Sequence, residues 1–115
     1  HSSLMQPAAE QLREVVAKIE IRPPLAPIVS NVTGQPTQSP EEIRELLVKQ
    51  IVSPVLWEPS VRFLIEAGAP HFLEFPPARI LTALLRRIDS RGKGIAINEP
   101  NDLESLPALL AASPV

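Results

Sequence analysis

Cysteine is absent from the 115-residue chain, and so is tyrosine. Without cysteine there is no disulfide framework, no thiolate zinc site and no thiol nucleophile. Aromatic residues make up 3% of the sequence, with Trp57 the single tryptophan. A core must therefore be assembled from Leu, Ile, Val and Ala, and stacking platforms for single-stranded nucleic acid are missing. Charge of one sign is not in excess. The formal net charge of −2 leaves no electrostatic footprint for nucleic acid. Four glycines leave little room for a phosphate-cradling loop, and the Gly-x-Gly-x-x-Gly, P-loop and Gly-x-Ser-x-Gly patterns do not occur. No apolar run approaches the roughly 20 residues that span a bilayer, and no signal peptide is apparent.

What is abundant is proline. The chain has fourteen, well above the ordinary usage of about 5%. They are dispersed rather than clustered, and most fall where elements should begin or end, so they act as punctuation. Length suits about one small domain with a modest core. Apolar residues at 44% and charged residues at 21% are ordinary for a globular chain.

Periodicity places the elements. Pro7 suits the first turn of a helix that follows Met5. Ala8, Leu12, Val15, Val16 and Ile19 form its apolar side, and Arg22-Pro23-Pro24 stops it. A short β-prone run, Pro27–Val32, ends at Thr33-Gly34. Ser39-Pro40-Glu41-Glu42 opens a second helix, with Ser39 as cap, Pro40 in the first position and Glu42 closing a capping box. Its buried stripe is Ile43, Leu46, Leu47 and Ile51. Ser53-Pro54 ends it, and a third helix runs from near Glu58-Pro59 to Gly68 with Val61, Leu64 and Ile65 inward. Phe72–Phe75 reads as a strand. Pro76-Pro77 turns the chain into a helix carrying Ile80, Leu81, Leu84, Leu85 and Ile88. Gly94–Asn98 is a third strand, and Asn98 to Asn101 caps a last helix with Leu103, Leu106, Leu109 and Leu110. About three short strands alternating with five helices predict an α/β fold with parallel pairing. A sheet usually has about five or six strands, so the expectation is that further strands come from an N-terminal segment or a partner chain.

Taken alone, the polar residues point to little chemistry. His71, at the entrance to a strand, reads as a surface or structural histidine. His1 and His71 lack metal-ligand spacing, and no metal site is expected. Glu10, Glu14, Glu41 and Glu42 sit at helix starts or on wet faces, where capping and solvation account for them. Asn31 either lines a site at the end of a strand or serves the turn at Thr33-Gly34, and the turn is the preferred reading.

A family resemblance adds the chemistry. His1-Ser2-Ser3-Leu4-Met5-Gln6-Pro7-Ala8-Ala9-Glu10 resembles the stretch that follows the catalytic histidine of the malonyl-CoA:acyl-carrier-protein transacylases. Pro27–Thr33 is similar to that family's strand toward the active site. Leu46–Trp57 resembles its Val-Arg-Gln-Leu-x-x-Pro-Val-x-Trp segment, and Ser60-Val61 with Leu64–Gly68 continues in register. Phe72-Leu73-Glu74 followed by Ile80–Ile88, and then Asn98-Glu99-Pro100, match the strand–helix units near its end. One departure is Pro76-Pro77-Ala78, where the family has Gly-Pro-Gly. Proline at position 76 cannot take positive φ.

The resemblance implies that residues 1–115 form the C-terminal portion of one hydrolase-like, parallel-sheet acyltransferase domain, completed by an N-terminal part of the same enzyme. It implies transfer of a malonyl group from malonyl-CoA to the phosphopantetheine thiol of acyl carrier protein by a Ser–His ping-pong mechanism. His1 would be the general base, oriented by the backbone carbonyl of Gln50, with the serine on sequence outside this chain. No bound cofactor, no membrane and a cytoplasmic location are expected, and the segment alone is expected to be inactive. A non-catalytic module on the same scaffold and an acyltransferase for another acyl group are the alternatives.

A basic cluster, Arg79, Arg86, Arg87, Arg91 and Lys93, faces one nearby acid, Asp89. Carrier proteins are acidic, so Arg86, Arg87 and Arg91 are candidates for docking one. A solvated helix end whose cations favour the helix C-terminus is the alternative.

Overall fold

The structure is a computed structural model that describes residues 1–111. It divides into two compact units, His1–Ser60 and the chain from Val61 onward. Among the described residues there are five α-helices and four short strands.

The first unit begins with a 3-10 turn, Ser3–Met5, that leads into α1 (Gln6–Ala17) with Pro7 in its first turn. The buried stripe of α1 is Ala9, Leu12 and Val16, spaced three and four apart, and it packs with Val48, Ile51 and Val52. This corrects the expected stripe, because Val15 and Ile19 are about half exposed. The small Ala9 permits close approach, and the stripe rotates accordingly. The helix also ends earlier than the Pro23-Pro24 stop. Lys18 closes it with its N–H on the Val15 carbonyl, and the Ile19 N–H follows on the Val16 carbonyl.

Strands β1 (Ile28–Val29) and β2 (Pro36–Thr37) form an antiparallel hairpin, Ile28 opposite Thr37 and Val29 opposite Pro36. Its turn depends on Gly34, at φ 64°, whose N–H donates to the Ser30 carbonyl at 2.8 Å. A Cβ there would also lie 3.2 Å from the Pro59 Cβ, so both backbone and space select glycine. Helix α2 (Pro40–Lys49) starts as predicted, with Ser39 Oγ accepting from the Glu42 N–H. The predicted box is only half formed. The Glu42 carboxylate accepts the Thr37 hydroxyl at 2.6 Å, and the Ser39 N–H turns to Thr37 Oγ1. The β2 threonine thus replaces the reciprocal bond and ties the hairpin to the helix start.

Helix α3 (Trp57–Glu66) begins in the first unit and ends in the second. The second unit is built on β3 (His71–Glu74), α4 (Ile80–Ile88) and β4 (Lys93–Ala96). The two strands pair in parallel, His71 opposite Lys93 through Glu74 opposite Ala96. Leu85 and Thr82 on α4 are buried, and glycines 92 and 94 let the β4 backbone approach them. A Cβ at Gly94 would meet Thr82 Cγ2 at 2.7 Å. A capping box closes the chain's next start. Glu99 caps a 3-10 segment, Pro100–Ser105, and Asp102 returns its carboxylate to the Glu99 and Asn98 N–H groups, before α5 (Leu106–Ala111).

Candidate active site

The end of α2 supplies an acceptor. The last carbonyls of a helix have no intrahelical partner. Gln50 caps α2, donating its own N–H to Leu46, while the next two N–H groups go to Val48 and Lys49. Its carbonyl is left over, at the negative end of the helix dipole. The imidazole Nδ1 of His1 hydrogen-bonds to that carbonyl across 49 positions of sequence. A carbonyl only accepts, so Nδ1 carries the hydrogen and Nε2 keeps its lone pair. The contact thus fixes the tautomer in which the far nitrogen is free to take a proton.

Asn31 lies in the turn after β1, and its main-chain carbonyl accepts from Leu56 at 2.8 Å. With Gln50 it lines a cavity of about 110 Å³, walled by Ile28, Ile43, Leu46 and Leu47. The structure therefore brings His1 to Gln50, and Gln50 to a small, mainly apolar space that Asn31 shares.

The basic residues separate into two groups. Arg86 and Arg87 occupy the last turn of α4 and have no ion pair among the described residues. Arg91 is chelated. Asp89 grips it through both carboxylate oxygens, the shorter contact being 2.7 Å, and Glu66 adds a third at 3.2 Å. The hydrogen bonds from Arg91 hold the Asp89 carboxyl at about 2, below its ordinary value of 3.8, and raise the guanidinium in turn. Glu66, from α3, is a second acid that nearness in sequence did not reveal. His71 stands at the first position of β3, half buried.

One residue organises the second unit and has no sequence signature. Glu74, the last residue of β3, is 6% exposed. Its carboxylate accepts four main-chain N–H groups at 2.8–3.1 Å, those of Arg79, Ile80, Leu81 and Thr82. Burial acts to raise its pKa, but the hydrogen bonds outweigh it and hold the group at about 2. The bonds occupy the unpaired donors at the start of α4. They also hold Arg79 in the left-handed region, at φ 89°. The positive φ thus falls on Arg79, one residue beyond Pro76-Pro77-Ala78.

Among the described residues no group of three or more His, Asp or Glu side chains is placed to hold a metal ion. None of the described helices is long and apolar enough to cross a membrane.

No protein-family model matches the chain. It is 38% identical over 104 residues to the malonyl CoA-acyl carrier protein transacylase of Bacillus subtilis, covering 90% of this chain and 33% of that protein. It superposes on the acyl-carrier-protein-S-malonyltransferase of Bartonella henselae with a TM-score of 0.90 at 29% identity, over 97% of this chain and 36% of that one. A second solved structure, a malonyl-transacylase in complex with a type II polyketide synthase acyl-carrier protein, aligns with a TM-score of 0.83 at 40% identity, over 91% of this chain and 34% of that one. The chain spans about one third of the length of the relatives it matches. With this identity along nine-tenths of its residues and a shared α/β fold, the chain is homologous to about one third of the length of the malonyl CoA-acyl carrier protein transacylases.

Proposed function

We propose that this chain supplies the histidine half of an acyltransferase that moves a malonyl group from malonyl-CoA to the phosphopantetheine thiol of an acyl carrier protein. The remaining two thirds of the family's length, an N-terminal part of the same enzyme, would supply the serine and complete the sheet. The observation that carries the reading is the bond from His1 Nδ1 to the Gln50 carbonyl, because it leaves Nε2 as the base. The serine oxygen attacks the malonyl thioester while Nε2 takes its proton. The carbon–sulfur bond breaks, and that proton passes to the CoA sulfur. The carrier thiol then attacks the serine ester, gives its proton to Nε2, and the proton returns to the serine oxygen as the ester bond breaks. Asn31 and Gln50 line one small cavity, and Gln50 also holds the histidine. The reaction calls for no resident cofactor. A cytoplasmic location belongs to the same reading.

Docking of an acidic carrier falls to Arg86 and Arg87, whose charges are uncompensated. Arg91 contributes little, because Asp89 and Glu66 neutralise it.

The test is malonyl transfer to holo carrier protein by the complete enzyme. Loss of a general base lowers kcat by about 10² to 10⁴, and that is the expectation for His1→Ala. Gln50→Ala retains the main-chain carbonyl and should keep most of the activity. Equal losses in the two variants would overturn the assignment of Gln50, and an active His1→Ala enzyme would overturn that of His1.

A further inference from the structure

Arg79 stands at the N-cap of α4, in the left-handed region, and Arg86 lies in the last turn of that helix. Both line one cleft of about 350 Å³ with Thr82, Ala83, Gly94 and Ala96. Those four neighbours are small, which leaves the space between the guanidiniums open. No carboxylate lines the cleft, and neither arginine has an ion pair among the described residues. The acid that senses Arg79 is Asp102, and its carboxylate is already committed to the Asn98 and Glu99 N–H groups. The start of α4, a usual place for an anion, is filled by Glu74. Any anion in this cleft must therefore be held by the two side chains. The position of Arg79 is itself enforced, since Glu74 holds its backbone in a conformation that L-residues seldom adopt.

Two uncompensated guanidiniums facing one open space suit a tetrahedral phosphate oxyanion, to which arginine offers forked donors. We propose that the Arg79–Arg86 cleft is a phosphate subsite. This identification of the ligand rests on the transacylase reading. Both proposed substrates carry phosphate, CoA on its ribose and its pyrophosphate, and the carrier protein on its phosphopantetheine arm. Arg86 thus has a specific task apart from the general attraction exerted by Arg87.

Binding tests the cleft without any turnover. The complete enzyme is titrated calorimetrically with CoA, dephospho-CoA, 4′-phosphopantetheine and pantetheine. Pantetheine, which has no phosphate, should bind weakest. Arg79→Gln and Arg86→Gln should each weaken the phosphorylated ligand by about tenfold, the scale of one charge-assisted hydrogen bond. Lys93→Gln removes a charge from the same patch, away from the cleft, and should leave binding unchanged. Loss of affinity in dephospho-CoA assigns the site to the ribose phosphate. Equal affinity of CoA and 4′-phosphopantetheine assigns it to the arm. Arg86→Gln lies on an exposed helical turn and retains the fold even if Arg79→Gln does not, so the pair stays informative. Unchanged affinity in Arg86→Gln, or an equal loss in Lys93→Gln, would overturn the subsite. Phosphate-dependent binding in an enzyme that transfers no malonyl group would leave the subsite standing and remove the transacylase reading.

Discussion

Replacing Glu74 by glutamine strikes the second unit at one point while keeping the size of the side chain. In the native chain Oε1 accepts from Ile80 and Leu81, and Oε2 from Arg79 and Thr82. A glutamine amide has one accepting oxygen and one NH2. Whichever way it turns, two of the four main-chain donors meet hydrogens instead of an acceptor. Two donors stranded at this part-buried helix start should lower the thermal midpoint near neutral pH by roughly 5–10 °C in a chain of this size. Circular dichroism melts read the change directly. The pH dependence supplies a second measurement. The folded carboxyl sits at about 2 against an ordinary 4.5. Between these values the unfolded chain takes up the proton first, so the stabilisation is fully present above about pH 5 and is lost as pH falls toward 2. Asp89 and Asp102, also lowered, act in the same direction. The contribution of Glu74 is therefore the difference between the parent and Glu74→Gln melts, and that difference should shrink through this acid window. A Gln variant that melts with the parent, or a difference that does not depend on pH, would refute the four-bond account.

Two further substitutions probe the packing. Gly94→Ala places a methyl group 2.7 Å from Thr82 Cγ2 and should cost about 1–3 kcal/mol in urea unfolding. Adding Thr82→Ser removes the opposing methyl and should restore most of that loss, and a double variant no better than the single would disprove the clash. Ser39→Ala removes the α2 cap and should cost about 1 kcal/mol. A denaturation midpoint equal to the parent's would show that the Thr37–Glu42 bond alone holds the helix start.

The helices were legible because their signals are local. Ser39-Pro40 carries a cap and a first-turn proline side by side, and α2 begins there. Strand β2 was not legible. Pro36-Thr37 is two residues long, one of them unable to donate a ladder bond, and only pairing with Ile28-Val29 makes it a strand. Val15 and Ile19 have helical spacing but face outward, since spacing alone cannot say which of two overlapping stripes meets a neighbour. In the site, His1 and Gln50 came from resemblance, and nothing in residues so far apart would pair them otherwise. Glu74 sat in the open as part of a strand motif. Its role was hidden because the four donors come from five to eight residues downstream, around a turn whose left-handed residue is an arginine.

The parallel pairing of β3 with β4 has a kinetic consequence. Parallel strands usually form slowly, because distant segments must meet before any contact compensates for the lost chain freedom. Here His71 meets Lys93 and Glu74 meets Ala96, and the Glu74 bonds reach only as far as Thr82. Closing so short a loop costs little entropy. The strand–helix–strand unit that bears Arg79 and Arg86 therefore has what it needs to assemble early from its own local sequence.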